Sequence, residues 1–97
     1  MQPKEIADLE AEIQAVHGCK SRYCRTVHVR ESDASGASWD DFVKVFDLLE
    51  HPEAECCYAW RERAGNQPKI VTVLNLPPID SPESAVRTVL AERSGRP

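Results

Sequence analysis

The stretch Trp39-Asp40-Asp41-Phe42-Val43-Lys44-Val45-Phe46-Asp47-Leu48-Leu49 admits two readings, and the choice between them decides the fold. With a helical period, Trp39, Phe42, Val43, Phe46 and Leu49 form one apolar stripe, and Ser38 with Asp41 resembles a capping box. With a period of two, Trp39, Val43 and Val45 share one face, and Phe42, Phe46 and Leu48 the other. Aromatic and β-branched side chains pack well on a pleated surface and lose rotamer freedom in a helix, which favours the strand. The extended reading has a consequence: large apolar groups then stand on both sides of one layer.

On the C-terminal side, His51-Pro52-Glu53-Ala54 reads as a turn, because Pro52 disfavours a helical His51 and cannot donate to a ladder. Cys56 to Glu62 alternates again, with Cys56, Tyr58 and Trp60 on one face and Cys57, Ala59 and Arg61 on the other. Residues 64–68 supply a hairpin connection to Lys69–Leu76, whose core Ile70-Val71-Thr72-Val73-Leu74 is the clearest strand in the chain. Pro77 and Pro78 end the sheet. Ser81 as cap, Pro82 in the first turn and Glu83 beside it start a helix with Ala85, Val86, Val89 and Leu90 as its buried stripe.

On the N-terminal side, Ile6, Leu9, Ile13 and Val16 recur at helical spacing over 3–17, and Gly18 stands where a left-handed cap would close that helix. Over 22–30, Tyr23, Arg25, Val27 and Val29 alternate with Cys24, Thr26, His28 and Arg30, as in a half-buried strand. Residues 31–37 are turn formers. The order is α-β-β-β-β-α. The class is α+β: a four-stranded, mainly antiparallel sheet with the N-terminal and C-terminal helices on one face. The opposite face is then left for a loop or a second subunit to cover.

A length of 97 residues fits a single domain over 1–97 with one core. Twelve Lys and Arg against sixteen Asp and Glu give a net charge of −4, which disfavours nucleic acid as a partner. No apolar run is long enough to span a membrane, and the N-terminus leads into an acidic amphipathic segment instead of an export signal. A cytoplasmic location and reduced Cys19, Cys24, Cys56 and Cys57 follow as expectations.

The strings Trp39…Val45-Phe46-Asp47-Leu48…His51-Pro52-x-Ala54…Cys57-Tyr58-Ala59-Trp60 and Leu76-Pro77-Pro78-Ile79-Asp80-Ser81-Pro82…Ala85-Val86 resemble small uncharacterised bacterial proteins carried in integron gene cassettes. The resemblance covers 39–90 and implies an α+β fold encoded by a mobile accessory gene. It implies no reaction, cofactor or site.

Four candidate chemistries remain. His17, Cys19, Cys24 and His28 are zinc-type ligands in a short span. In an extended 22–30, however, Cys24 and His28 stand about 13 Å apart at ~3.3 Å per residue, too far for one ion, so no metal is assigned. A thiol beside His28 or His51 could form a nucleophile, but nothing in the sequence orients such a pair. Trp39, Phe42, Phe46, Tyr58 and Trp60, with Asp47 and its acidic neighbours, could wall a pocket for a cationic or amphipathic small molecule, although core filling accounts for the same residues. Lys20, Arg22, Arg25 and Arg30, with His28, form a basic stretch in an element order reminiscent of double-stranded-RNA-binding modules, but the C-terminal helix begins with Asp80 and Glu83, the wrong sign for phosphate, so these bases pair best with acids on a neighbouring strand.

No G-x-S-x-G, P-loop, HExxH or paired CxxC is present, so no enzyme and no cofactor is expected. The sequence favours a non-enzymatic interaction module that self-associates as a homodimer or larger through a sheet face or edge. Trp39, Phe46, Tyr58 and Trp60 are the expected anchors. The alternative is the small-molecule binding domain with Asp47 on its acidic rim.

Overall fold

A computed structural model describes residues 3–32, 36, 38–64 and 67–94, so most of the expected 31–37 loop and the tip of the 64–68 connection lie outside the described residues. The elements are α1 (Lys4–His17), β1 (Lys20–Ser32), β2 (Ser38–Leu49), β3 (Cys56–Ala64), β4 (Gln67–Leu74) and α2 (Pro82–Ser94). The four strands form one antiparallel meander in the order β1-β2-β3-β4. The contested segment is therefore extended, and the α+β class with its element order is as the sequence indicates.

Local chemistry sets the boundaries. Gly18 adopts φ 74° and its N–H donates to the Gln14 carbonyl at 2.9 Å, closing α1 in the left-handed conformation that glycine tolerates best. At the start of α2, the Ser84 N–H donates to Ser81 Oγ at 3.1 Å, satisfying one of the helix's orphan donors. The β2–β3 turn is held by the imidazole of His51, whose Nδ1 accepts the N–H groups of Glu53 and Ala54 at 3.0 and 2.9 Å.

The pairing is uneven. β1 and β2 pair along their whole length, from Lys20 opposite Leu49 to Ser32 opposite Ser38, with one irregularity between Tyr23 and Arg25. That bulge resets the alternation. Tyr23, expected to share a face with Arg25 and Val27, instead lies with Thr26, its hydroxyl 2.6 Å from Thr26 Oγ1 and its ring edge-on to Phe46 at 5.9 Å. β3 and β4 pair from Cys57–Leu74 to Ala64–Gln67, whereas β2 and β3 pair only where Lys44–Asp47 faces Cys56–Ala59.

The helices lie on opposite faces of the sheet, which corrects the expectation that both share one. Phe46 lies opposite Cys57, and Cys57 opposite Leu74; these residues, with Leu48 and Ala59, pack against Ile6, Leu9 and Ile13 of α1. Val45 lies opposite Tyr58, and Tyr58 opposite Val73; these residues, with Val29, Val43 and Trp60, pack against Ala85 and Val86 of α2. Successive strand residues alternate faces, so the two clusters are separated by the sheet itself. The reason is the two-sided apolar character of β2 and β3: one helix per face buries both sets, while two on one face would leave the other wet. Ion pairs follow the same division, with Glu5–Lys44 (3.3 Å) and Asp8–Arg61 (2.9 Å) on the α1 side and Glu31–Arg87 (3.1 Å) on the α2 side.

No helix among the described residues is long and apolar enough to cross a membrane. Leu9 is fully buried between α1 and the sheet. Leu9→Ala is expected to cost about 2–5 kcal/mol, read as a lowered urea midpoint with little change in the denaturant slope.

Candidate functional site

The helices cover the middle of the sheet on both faces, while Phe42, Leu49 and Tyr23 of the β1–β2 pair stay partly exposed. Unpaired main-chain groups are offered by the two edges, and these differ. β1 carries Lys20, Arg22, Arg25, Arg30 and Glu31 along its length and is bent by the bulge at Cys24, features that discourage pairing with another strand. β4 has no charge from Ile70 to Leu74. Among the described residues its partner is β3 alone.

The direction of the free main-chain groups on β4 follows from one hydrogen bond. The Asn75 N–H donates to the Cys56 carbonyl at 2.9 Å, and Cys56 stands opposite Asn75 in the β3–β4 register. In an antiparallel ladder, hydrogen-bonded and non-hydrogen-bonded pairs alternate. Val73, Val71 and Lys69 therefore turn their N–H and C=O toward β3, and Leu74, Thr72, Ile70 and Pro68 turn theirs outward. Pro68, which has no N–H, sits where the missing donor faces away from the ladder.

This edge forms the floor of a groove of about 760 Å³ that opens between the two helices. Glu12, Val16 and His17 of α1 make one wall, and Thr88, Val89, Glu92 and Arg93 of α2 the other. Val16 continues the stripe of Ile6, Leu9 and Ile13, yet it is 56% exposed while those three are buried. His17 Nε2 lies 2.8 Å from Thr72 Oγ1, tying α1 to the edge strand. Burial, assisted by the nearby His51, lowers the His17 pKa and favours its neutral form.

The expected aromatic anchors are elsewhere. Phe46, Tyr58 and Trp60 are core residues with at most 3% of their surface exposed, so they can neither dock a partner nor wall a ligand pocket. Their burial follows from having one helix on each face: α1 covers Phe46, and α2 covers Tyr58 and Trp60. Trp39 is half-buried, edge-on to Trp60 with ring centroids 5.5 Å apart. Asp47, expected on an acidic rim, faces Arg22 at 3.7 Å. Arg30 likewise reaches Asp40 at 3.1 Å, in keeping with cross-strand pairing of the β1 bases.

The four zinc-type residues are dispersed in role. His17 is on the groove wall, Cys19 packs beside the α1 cluster, Cys24 is exposed at the bulge, and His28 bonds Asp40 at 2.6 Å. Among the described residues, no three His, Cys, Asp or Glu side chains are grouped to hold a metal ion. Burial pushes the Cys57 thiol up to about 12, which keeps it protonated and a poor nucleophile.

The groove residues missed in the sequence, Val16 and the outward positions of β4, carried a legible signal. Ile70–Leu74 is an uncharged stretch, apolar on both faces, in the last strand of a meander order that places it at an edge. Compared with protein-family models, curated proteins and solved structures, the chain matches none, so the site rests on its own geometry.

One polar cluster holds the groove's α2 wall in place. Where β2 and β3 separate, Glu62 accepts the indole N–H of Trp60 at 2.7 Å, that of Trp39 at 3.2 Å, and the Arg93 guanidinium at 2.6 Å. Burial raises the Glu62 pKa, but the hydrogen bonds from Arg93, Trp60 and Trp39 outweigh it and hold it below the ordinary 4.5. A carboxyl with a depressed native pKa stabilises the fold above its unfolded pKa and loses that contribution as pH falls through the native value. Glu62→Gln should therefore lower the urea midpoint at pH 7. The gap between wild type and variant should narrow as pH drops below about 4.5.

Proposed function

We propose that this chain is a non-enzymatic interaction module that self-associates through an edge of its sheet, and that the edge is β4. The observation that supports this reading is the contrast between the two edges. β1 is charged and bulged, whereas β4 presents main-chain donors and acceptors at Ile70 and Thr72 and the N–H of Leu74, whose carbonyl accepts the Leu76 N–H at 2.9 Å, in an apolar groove between two helices. An unpaired, uncharged strand is a template for another strand, because main-chain hydrogen bonds supply affinity and flanking side chains supply fit. The anchors are Val16, Ile70, Leu74 and Val89 along the groove, in place of the buried aromatics.

Self-association also suits the size of the chain. A domain of 97 residues buries a modest fraction of its unfolded surface, and covering an apolar edge adds to it. The small-molecule alternative loses its aromatic wall, since Phe46, Tyr58 and Trp60 are enclosed by the chain's own helices.

Size-exclusion chromatography with light scattering tests the proposal. At high micromolar concentration the mass should be about twice the 10.9 kDa of one chain. Thr72→Pro removes an outward N–H and the side-chain bond to His17 but no bond to β3, so it should give a monomer, somewhat less stable than the wild type, with unchanged far-ultraviolet dichroism. A wild type that runs as a monomer at these concentrations would reject the reading.

A further inference from the structure

Resting on that reading, we infer that the partner is a second copy of β4 running antiparallel to the first, with the two-fold axis passing through Thr72, so that two four-stranded sheets join into one of eight strands. A symmetric dimer uses one patch on both subunits, so the strand must match itself read backwards. Antiparallel pairing also sets outward residues opposite outward residues, which places the axis on a residue and not between two.

With the axis at Thr72, Ile70 stands opposite Leu74 of the second copy and Thr72 opposite Thr72 on the α1 face. On the α2 face Val71 stands opposite Val73, and Lys69 opposite Asn75. Apolar meets apolar, polar meets polar, and no like charges oppose each other. Pro68 falls opposite Leu76, beyond the end of β4, so its missing N–H costs no bond across the join. Every other placement is poorer. An axis at Val71 sets Lys69 against Val73 and Pro68 against an outward amide at Leu74. One at Ile70 sets Lys69 against Val71 and Pro68 against Thr72, and one at Val73 sets Thr72 against Leu74 and Val71 against Asn75.

The groove walls agree with this occupant. His17 and Thr72 lie together on the α1 side, so in the dimer both copies of that pair meet near the axis. The exposed Val16, one residue before His17, is brought to the same place and gains apolar cover from the second copy.

Single cysteines read the register directly. Opposed residues of a hydrogen-bonded pair have Cα atoms about 5.5 Å apart, inside the ~4.4–6.8 Å that a disulfide spans. In a Cys24→Ser background, which removes the exposed thiol, Ile70→Cys, Val71→Cys, Thr72→Cys and Val73→Cys are each oxidised with copper–phenanthroline. Their fold is checked by circular dichroism and their mass by light scattering. Thr72→Cys alone should become a disulfide-linked dimer. An equimolar mixture of Ile70→Cys and Leu74→Cys, which leaves Thr72 intact, should cross-link only between the two variants. Cross-linking of Ile70→Cys, Val71→Cys or Val73→Cys instead would overturn the register while leaving edge association standing. A dimeric mass with no cross-link at any position would place the interface elsewhere, and a monomeric mass would remove the association itself.

Discussion

The constraint on which the structure depends is a sheet that is apolar on both faces. In β2 and β3, Val43, Val45, Tyr58 and Trp60 point one way and Phe46, Leu48, Cys57 and Ala59 the other. Each set needs a cover. The chain supplies one from each end, α1 with Ile6, Leu9 and Ile13 and α2 with Ala85 and Val86, so the middle of the sheet is enclosed by its own termini. Removing apolar surface from water on both sides of one layer is the dominant favourable term available to a chain of this length.

Once the middle of both faces is covered, the edges are where the sheet still offers main-chain donors and acceptors. The chain treats its edges differently. β1 is charged, bulged and paired with neighbouring acids, whereas β4 is short, uncharged over its last five residues and flanked by helix walls that include the exposed Val16. The polar cluster around Glu62 links this edge to the core, because the carboxylate joins Trp39 of β2, Trp60 of β3 and Arg93 of α2 at the point where the central strands part. The α2 wall of the groove is thereby fixed by a charged, partly buried network in addition to apolar packing.

Much of this was legible in the sequence. The alternation of β3, the extended reading of 39–49, the Gly18 cap and the Ser81 start of α2 all rest on local chemistry, which a single sequence displays. Two features were not. The sequence shows that β2 is apolar on both sides but not which helix covers which side, since that depends on the connections α1–β1 and β4–α2 in three dimensions. A bulge at Cys24 also leaves no local mark, and it transferred Tyr23 to the other face. The site was misassigned for the first of these reasons: with one face presumed open, Phe46, Tyr58 and Trp60 looked like docking anchors, although α1 on one face and α2 on the other make them core. The uncharged run of β4 was visible throughout, but its meaning depended on knowing that both faces were closed.

Residue-resolved amide hydrogen exchange, measured across a dilution series, tests this account most directly. If a second copy covers β4, the outward amides of Ile70, Thr72 and Leu74 exchange slowly at high concentration and speed up together on dilution, while the inward amides of Val71 and Val73 change far less. Outward amides that exchange at the rate of an open edge at every concentration would contradict it.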